Sequence, residues 1–403
     1  MIQWFFWSIA AVWLVILVYN LISVVRAPMV PRTGDSDFER SPLDFQPGKA
    51  PSVSILVPAR NEAGRVLDRA VRSMLAQAYP DFEVVAVDDM STDATLEILN
   101  RIAENRPGLK VIRGAATPND WMGKQWALCQ ARQASRGEWL LATDADVIFE
   151  RGALREAMSV AIREGLDALS LLPTFTNKGF WMNVVMPVAE CSILLLYPYW
   201  RVNNARSSAA LGAGGFFLIR AAAFDRAGGY PAIRREIIDD VATARLLKGA
   251  GFRLNISAAP TLLATPMYSG LRELFHGFGK NVFAGVGHSV SKALFLSLVN
   301  LCFTLTPILG VGFELALLAA GHREAGSLMW APLAAWLTMS AAFAPFYLKS
   351  RVSAGYALLA FLGHAVMISI LISSAWRIVT GRGVTWKSRN LYAPASEQAP
   401  EHD

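Results

Sequence analysis

The sequence predicts an α/β domain with a mainly parallel β-sheet, joined at both ends of the chain to apolar helices long enough to cross a bilayer. Short β-rich runs alternate with helix-like stretches from residue 52 to about residue 256, which is typical of a parallel sheet. Hydrophobic residues make up 53% of the 403 residues and charged residues only 17%. Because this apolar excess lies in long uninterrupted runs, it indicates membrane segments and not an oversized core.

The charge balance and the cysteines exclude several classes of protein. The formal net charge is +6, but no basic stretch is interleaved with aromatic residues, so we expect no nucleic acid as a partner. The excess of positive charge fits basic flanks of membrane segments and is compatible with an acidic phosphate substrate. Cys129, Cys191 and Cys302 are far apart and lack zinc-binding spacing, so we expect free thiols. No obligate protein partner is evident.

The first 25 residues contain no charge and are long enough to span a bilayer as a helix. A signal peptide is the alternative, but it would have a basic start and a small-residue cleavage site, and this run has neither. Arg26 and Arg32 follow it, which predicts that its C-terminal end faces the cytoplasm. Residues 26–50, which contain four prolines, are predicted to form a linker.

The C-terminal part of the chain contains three further apolar runs, near 293–320, 327–347 and 356–378. They predict three membrane segments within 291–379, followed by a polar tail at 380–403. Pro307 and Glu314 lie in the first run, so this run is either a broken span or a re-entrant segment.

The side of the membrane on which the tail lies is ambiguous. We expect an integral protein of a bacterial inner membrane with its α/β domain in the cytoplasm, and four simple crossings would then put the tail outside. Basic residues predict instead that the tail is cytoplasmic: Arg377, Arg382, Lys387 and Arg389. A re-entrant segment around Pro307 reconciles the two predictions.

The α/β domain is predicted to span residues 51–290. Its strands are expected at 52–57, 83–87, 109–112, 138–142 and 166–171. Helix-like stretches are expected from Glu62, Thr92, Met122 and Arg151. In such sheets ligands bind beyond the carboxyl ends of the strands, so residues that carry chemistry should follow the strands directly.

The first strand runs into the turn that contains Pro58, Ala59, Arg60 and Glu62. A dinucleotide-binding oxidoreductase would have a GxGxxG sequence at this turn, and none is present. The later GAGG run at 212–215 does not follow the first strand and fails the spacing. We therefore exclude an NAD-dependent enzyme.

The second strand ends in Asp88 and Asp89, followed by Ser91, Thr92 and Asp93. The last three are explained by helix capping. Capping does not explain two adjacent carboxylates at a strand end, so one of them is free to accept hydrogen bonds from a nucleobase or ribose.

The fourth strand ends in Asp144 and Asp146. Two carboxylates two residues apart can share a hard cation such as Mg²⁺ or Mn²⁺, which would neutralise the charge of a diphosphate. The alternative is an acidic surface turn. The position of this pair about 55 residues after Asp89 on an alternating sheet favours the metal site.

In this order the motifs resemble the GT-A family 2 membrane glycosyltransferases, over roughly residues 52 to 290. The resemblance rests on VPARNE (57–62), VDDMSTD (87–93), GK (123–124), DAD (144–146), GAGGFFLIR (212–220), AGGY (227–230) and IDD (238–240). The WMGKQWA run at 121–127 is similar to the branch associated with hopanoid and carotenoid glycosylation and to ceramide-glucosyltransferase-like enzymes.

The resemblance implies a donor site for a nucleotide sugar, a UDP-hexose. Its residues would be Pro58, Ala59, Arg60, Glu62, Asp88, Asp89, Lys124 and Asp144, with Asp144 and Asp146 holding Mg²⁺ or Mn²⁺. A lysine that follows a glycine at a helix start is also a plausible phosphate ligand in its own right, although a solvated lysine is the alternative.

Asp239 and Asp240 begin a helical pattern, where acids are favoured by the helix dipole. In the family this position supplies the catalytic base, and we assign that role to Asp240, with Asp239 adjacent. Two close carboxylates should also raise the pKa of one of them. Gly214 and Gly215 fit the family's acceptor-side glycine loop, and a tight turn is the alternative.

Polymer-forming members of the family carry a Q/RxxRW motif after the base. Here the spacing is met by Arg272 to His276, with phenylalanine and histidine in place of the Arg-Trp pair, and Lys280 nearby. This departure favours transfer of a single sugar, by inversion, to the hydroxyl of a membrane lipid. The alternatives are a processive polysaccharide synthase of the chitin or hyaluronan type and a non-catalytic membrane scaffold.

Residues 180–200 are apolar and aromatic, with one charge at Glu190. They lie between the Asp144 and Asp240 motifs, so crossing the membrane there would separate two halves of one site. We expect an interfacial helix, and a buried core helix is the alternative.

Overall fold

The computed structural model describes residues 2–30, 50–176, 179–322, 328–387, 389–390 and 392. The chain divides into two units. The sheet unit comprises Pro28–Thr176, Tyr199–Met267 and Lys387–Asp403, and the helical unit comprises Met1–Ala27, Asn177–Pro198 and Tyr268–Trp386. Residues 31–49 of the predicted linker and 393–403 of the predicted tail lie outside the described residues.

The strands, in chain order, are β1 (Val53–Ala59), β2 (Phe82–Asp88), β3 (Leu109–Arg113), β4 (Trp139–Ala142), β5 (Ile148–Phe149), β6 (Ala168–Leu172), β7 (Thr174–Phe175), β8 (Phe217–Arg220), β9 (Leu254–Ala258), β10 (Leu263–Thr265), β11 (Thr385–Trp386) and β12 (Arg389–Asn390). Seven of them form the main sheet in the order β3-β2-β1-β4-β8-β6-β9. Only β8 runs antiparallel to its neighbours in that sheet. The predicted mainly parallel α/β sheet is confirmed.

The order of the strands creates a crevice at the carboxyl ends of β1 and β4. The chain goes from β1 outward to β2 and β3, and then returns to place β4 on the other side of β1. Ligands bind α/β sheets where the strand order reverses in this way. The central strands are apolar and buried on both faces, as in β1, because helices cover both sides of a parallel sheet.

The helices of the sheet unit are α2 (Leu67–Leu75), α3 (Thr95–Glu104), α4 (Gly123–Gln133), α5 (Ala153–Arg163), α7 (Tyr199–Val202), α8 (Ala221–Ala227), α9 (Gly229–Ala232) and α10 (Asp239–Gly249). The first two begin later than predicted, at Leu67 and Thr95 instead of Glu62 and Thr92. The residues before each helix form a turn, in which main-chain N–H groups of Asn61 and Thr92 donate to side-chain oxygens and not to a preceding helical turn.

The helical unit contains α1 (Ile2–Val25), α6 (Phe180–Leu196), α11 (Leu271–Gly279), α12 (Val282–Gly285), α13 (Val290–Asn300), α14 (Thr306–Ala319), α15 (Trp330–Lys349) and α16 (Ala360–Val379). Within the described part of the chain, four segments are long and apolar enough to cross a membrane: Ile2–Val25, Val290–Ala319, Trp330–Lys349 and Ala354–Val379. They coincide with the four predicted segments, and the predicted apolar helices at both ends of the chain are confirmed.

The segment Val290–Ala319 is not a regular helix throughout. A π-helical turn at Leu301–Leu305 separates α13 from α14. Proline cannot donate a main-chain hydrogen bond to the preceding turn, and Pro307 lies directly after this turn, so the irregularity has a local cause. The helical segment continues through this π-helical turn, and a broken or re-entrant Val290–Ala319 stays a prediction.

Helix α6 packs among the apolar helices of the helical unit. Tyr347 Oη of α15 donates to the carbonyl oxygen of Val184 at 3.0 Å, and Lys349 forms an ion pair with Glu190. The unit boundaries therefore differ from the predicted domain 51–290, because 177–198 and the residues after Tyr268 belong to the helical unit. The apolar surface of α6 is buried by helices that lie far from it in the sequence. An interfacial position for 180–200 stays a prediction.

Candidate active site

The turns that follow β1 and β2 are tied to each other. Asn61 N donates to Ser91 Oγ at 3.0 Å, and Thr92 N donates back to Asn61 Oδ1 at 2.8 Å. Asp93 accepts from Thr95 N and from Ala63 N, both at 3.0 Å. Asp93 thus lies just before α3, where an acid was predicted to favour the positive end of the helix, and it also fixes the turn that contains Glu62. Ser91 and Thr92, the predicted caps, contact Asn61 instead.

Asp88 and Asp89 are buried at the end of β2 beside these turns, with 2% and 6% of their surfaces exposed. Asp88 Oδ1 and Glu62 Oε2 have no hydrogen-bond partner among the described residues. Arg60 Nη1 donates to the main-chain oxygen of Asp89 at 2.6 Å. A buried polar atom without a partner is energetically unfavourable, so these two carboxylate oxygens mark a place where a ligand's hydroxyl or amide groups would be favoured.

Two basic residues after the last apolar helix contact the acidic residues at this place. Arg389 Nη1 lies 2.7 Å from Asp89 Oδ2, and Lys387 Nζ forms an ion pair with Glu62 Oε1. The main-chain oxygen of Lys387 accepts from Arg60 Nε at 3.2 Å. From the sequence, both residues are predicted only to influence the membrane topology. The TWKSR stretch that contains them was the available signal, because two cations two residues apart in a polar tail can serve an acidic pocket.

Gly123, at the start of α4, makes room for the Arg389–Asp89 pair. A Cβ atom at this position would lie 2.8 Å from Asp89 Oδ2 and would overlap the Arg389 guanidinium. The glycine of the GK motif is therefore explained by close packing against an ion pair. It also brings Lys124, the next residue, to the edge of the crevice.

Lys124 lies between two groups of carboxylates. Its Nζ is 2.7 Å from Asp144 Oδ1 and 2.9 Å from Asp239 Oδ2. Burial acts to lower the pKa of Lys124, but the charges of Asp144 and Asp239 outweigh it and raise that pKa well above its usual value. Lys124, predicted to bind the diphosphate, is thus paired with Asp144, a predicted metal ligand, and with Asp239, which lies beside the predicted base.

Asp240 is held by main-chain N–H groups at the start of α10. Its Oδ2 accepts from Gly214 N at 2.9 Å and its Oδ1 accepts from Val241 N at 2.7 Å. Burial and the neighbouring charge of Asp239 raise the pKa of Asp240 to about 7. These contacts aim the carboxylate at the glycine loop and put its titration near neutrality, where a general base is most effective.

The two glycines predicted for the acceptor side differ. A Cβ on Gly214 would lie 3.1 Å from Asp144 Oδ2 and 3.2 Å from Lys124 Nζ, so this glycine lines the charged cluster. A Cβ on Gly215 would lie 3.2 Å from the side chain of Pro173, so this glycine serves packing. Thr143 Oγ1 donates to the carbonyl oxygen of Gly215 at 2.7 Å and anchors the loop next to the end of β4.

Asp144 and Asp146 lie directly after β4, as predicted for metal ligands. Asp146 Oδ2 is 3.4 Å from Arg65 Nη1. Burial, together with the charges of Asp144 and Glu62, raises the pKa of Asp146 to about 6, so negative charge in this corner is incompletely compensated. Among the described residues no third histidine, cysteine or carboxylate joins them. Two carboxylates fit an ion that takes its other ligands from water and phosphate oxygens, as Mg²⁺ commonly does.

The remaining predicted acceptor-side residues belong to the helical unit. Arg272 and His276 lie on α11, where they line a cavity of about 520 Å³, and Lys280 follows the same helix. Gly214 and Gly215 belong to the sheet unit.

A mainly parallel sheet with acidic residues at the carboxyl ends of β1, β2 and β4 is characteristic of an α/β fold of the GT-A type. The mannosyltransferase PcManGT from Pyrobaculum calidifontis, solved in complex with GDP-Man and Mn²⁺, shares this fold with a TM-score of 0.50 and 19% sequence identity, over 94% of this chain and 98% of that one. Residues 54–241 match Glycosyl transferase family 2, and the chain therefore contains a glycosyltransferase domain of that family.

Proteins similar to this chain include two synthases that are named for different products. The beta-monoglucosyldiacylglycerol synthase of Nostoc sp. is 32% identical over 198 residues, which are 48% of this chain and 40% of that protein. The hyaluronan synthase of Pasteurella multocida is 30% identical over 135 residues, which are 34% of this chain and 13% of that protein. The chain thus spans less than half the length of these relatives.

Proposed function

We propose that the protein transfers a single sugar, with inversion, from a UDP-hexose to the hydroxyl group of a membrane lipid. The observation that carries this proposal is the cluster in which the Gly214 N–H holds the Asp240 carboxylate beside Lys124 and Asp144. It combines a group able to accept a proton with groups suited to a diphosphate. The name of the Nostoc synthase, a glycosyltransferase acting on diacylglycerol, supports a lipid acceptor.

The nucleotide would occupy the pocket between the turns after β1 and β2. Asp88 and Glu62 each have a carboxylate oxygen available for the hydroxyl or amide groups of a uridine. Residues 58–60 would line the pocket, and Arg389 would hold Asp89 in position through its ion pair. These roles follow from position, because all of these residues lie where β1 and β2 end at the crevice.

Asp144 and Asp146 would hold a divalent cation, with Mg²⁺ and Mn²⁺ as the candidates. Such an ion, when bound, supplies positive charge that stabilises the departing diphosphate. The Mn²⁺ in the Pyrobaculum mannosyltransferase complex supports a divalent ion of this kind. Lys124 would leave Asp144 and contact the diphosphate instead. Its ammonium group lies 2.7 Å from Asp144 Oδ1, so a metal ion bound to Asp144 would repel it.

Asp240 would act as the general base. In a direct displacement, the bond from the acceptor oxygen to the anomeric carbon forms while the bond to the diphosphate oxygen breaks, and the hydroxyl proton passes to the carboxylate. The Gly214 and Val241 N–H groups would keep this carboxylate oriented, and Asp239 would keep Lys124 beside it.

A site close to a membrane suits these substrates, since the donor arrives from water and the acceptor stays in the bilayer. Lys387 and Arg389 follow the last apolar helix and contact Glu62 and Asp89. We therefore propose that the tail and the crevice lie on the same side of the membrane, in the cytoplasm of a bacterial cell. An even number of crossings between them is then required, and the irregular segment Val290–Ala319 would be re-entrant.

A processive polysaccharide synthase is the second candidate, supported by the match to the Pasteurella hyaluronan synthase. The absence of the Arg-Trp pair at 275–276 favours single transfer. A non-catalytic scaffold is disfavoured, because Asp144, Asp146 and Asp240 are all retained.

The test is an assay of the full-length protein in nanodiscs with UDP-glucose, Mn²⁺ and diacylglycerol, with products identified by mass. A product carrying one hexose is expected, whereas a ladder of masses would support the polymerase. We expect Asp240→Asn to abolish transfer while its affinity for UDP-glucose, measured by calorimetry, is unchanged. Normal turnover by this variant would overturn the assignment of the base.

A further inference from the structure

A half-open cavity of about 520 Å³ lies within the helical unit, between α11 and the C-terminal end of α16. Its apolar lining includes Leu271, Phe275 and Ile370, and its basic lining includes Arg272 and Arg377. A volume of this size is within the range of small-molecule sites. The combination of apolar and cationic walls indicates an amphipathic, negatively charged ligand.

Neither arginine of the cavity has an acidic partner among the described residues. Within that part of the chain, no carboxylate lies within ion-pair distance, 4.0 Å, of either guanidinium group, and neither group forms a side-chain hydrogen bond. Glu273, the acid on the same helix, accepts instead from Ser269 N at 2.6 Å and from Ser269 Oγ at 2.7 Å. The cavity therefore presents two planar donor groups whose geometry matches phosphate oxygens.

The position of the cavity along α16 corresponds to the surface of a bilayer. Arg377 is in the last turn of this apolar helix, and Trp376 beside it stacks against Arg382 at 4.4 Å. Tryptophan and arginine at the end of a membrane helix are typical of the head-group layer. The apolar part of the lining then continues toward the hydrocarbon side through Ile370.

The walls of the cavity are fixed to each other. Ser374 Oγ of α16 donates to the carbonyl oxygen of Gly279 at the end of α11 at 2.5 Å. Gly277 allows the ring of Tyr268 to pack directly against the backbone of α11, where a Cβ would overlap it. Because α11 is held at two places, Arg272 and His276, one turn apart on it, keep a defined position in the lining.

We infer that this cavity binds the phosphate head group of an anionic membrane lipid. The phosphate lies between Arg272 and Arg377, with His276 at the rim, and the first part of an acyl chain follows the apolar wall. The inference does not depend on the proposed transfer reaction, because the bound lipid need not be the acceptor.

The experiment measures lipid retention by native mass spectrometry of the full-length protein, taken from nanodiscs of phosphatidylcholine that contain phosphatidylglycerol or diacylglycerol. Retention of phosphatidylglycerol and loss of diacylglycerol are expected. The R272Q/R377Q variant should retain about tenfold less phosphatidylglycerol, because charge-assisted hydrogen bonds to phosphate are removed. Arg382→Gln is the matched control: it removes a basic residue that contacts Trp376, next to Arg377, but lies outside the cavity lining, and it should leave retention unchanged.

Three outcomes would overturn the inference. The first is that R272Q/R377Q retains as much lipid as the wild type. The second is an equal loss of lipid with Arg382→Gln, which would indicate general attraction to anionic lipid. The third is displacement of the lipid by glycerol 3-phosphate at equal concentration, which would indicate that the ligand is a soluble phosphate ester. Binding of UDP-glucose by R272Q/R377Q serves as the control for folding. Retention of the lipid by a protein without transferase activity would support this inference and count only against the proposed function.

Discussion

Lys124 Nζ lies 2.7 Å from Asp144 Oδ1, so the residue predicted to bind the donor's diphosphate neutralises a residue predicted to bind its metal ion. The same ammonium is 2.9 Å from Asp239 Oδ2. In this arrangement the cation compensates the acidic cluster without a ligand. Binding of a metal ion and a diphosphate would require the Lys124–Asp144 contact to open.

Lys124→Met should therefore have opposite effects on two ligands. Mn²⁺ binding without donor should become several-fold tighter, because a competing cation leaves Asp144. The KM for the UDP-sugar should rise by about tenfold or more, because a charge-assisted contact to phosphate is lost. Calorimetric titration with Mn²⁺ and steady-state kinetics measure the two effects. Lys110→Met, at an exposed site on β3, is the control. If Lys124→Met weakened the binding of both Mn²⁺ and the UDP-sugar, the proposed change of partner by Lys124 would be contradicted.

Transfer should depend on pH through Asp240. Its pKa is raised to about 7 by burial and by Asp239, and a base acts only when deprotonated. The value of kcat/KM should thus rise with pH up to about 7 and fall about tenfold per pH unit below it. Asp239→Asn should move this acidic limb to lower pH, since a like charge is removed. A wild-type limb near pH 4 would argue against Asp240 as the titrating base.

Arg389 should contribute to donor affinity although it lies 300 residues from its partner Asp89. Arg389→Gln leaves a buried carboxylate without its ion pair, and the Kd for UDP should rise by about tenfold. Gly123→Ala should reproduce this effect, because the added methyl group displaces the Arg389 side chain. Gly249→Ala, where a Cβ meets no atom within 4 Å, is the matched control. Unchanged UDP affinity in both test variants would show that Arg389 does not contribute to the donor site.

The proposed topology can be tested by labelling with a membrane-impermeant maleimide in a variant that lacks Cys129, Cys191 and Cys302. A re-entrant Val290–Ala319 places His322→Cys on the cytoplasmic side and Val352→Cys on the opposite side. A reporter fused after Asp403 should be cytoplasmic. Labelling of His322→Cys from outside the cell would show that the segment crosses the membrane, and the contact of Arg389 with Asp89 could then not form.

Features that depend on neighbours along the chain can be predicted without the tertiary structure. The alternation of apolar strands and helices predicts the parallel sheet, since each element needs a buried face of its own periodicity. Acids directly after strands, such as Asp89 and Asp144, are predictable as site residues because parallel strands end at one edge of the sheet. The four uncharged or nearly uncharged runs are recognisable from length and composition alone.

Only the tertiary structure decided which distant groups meet. The strand order, which places β4 next to β1, brings Asp144 within reach of Lys124 and Asp239, and no local pattern encodes that order. The sequence pattern predicts Arg389 to be a basic flank of a membrane helix. It pairs instead with Asp89, because the chain returns to the sheet unit after α16. Helix α6 likewise joins the helical unit because its apolar surface is buried by α15 and α16, and burial depends on what the whole chain places beside it.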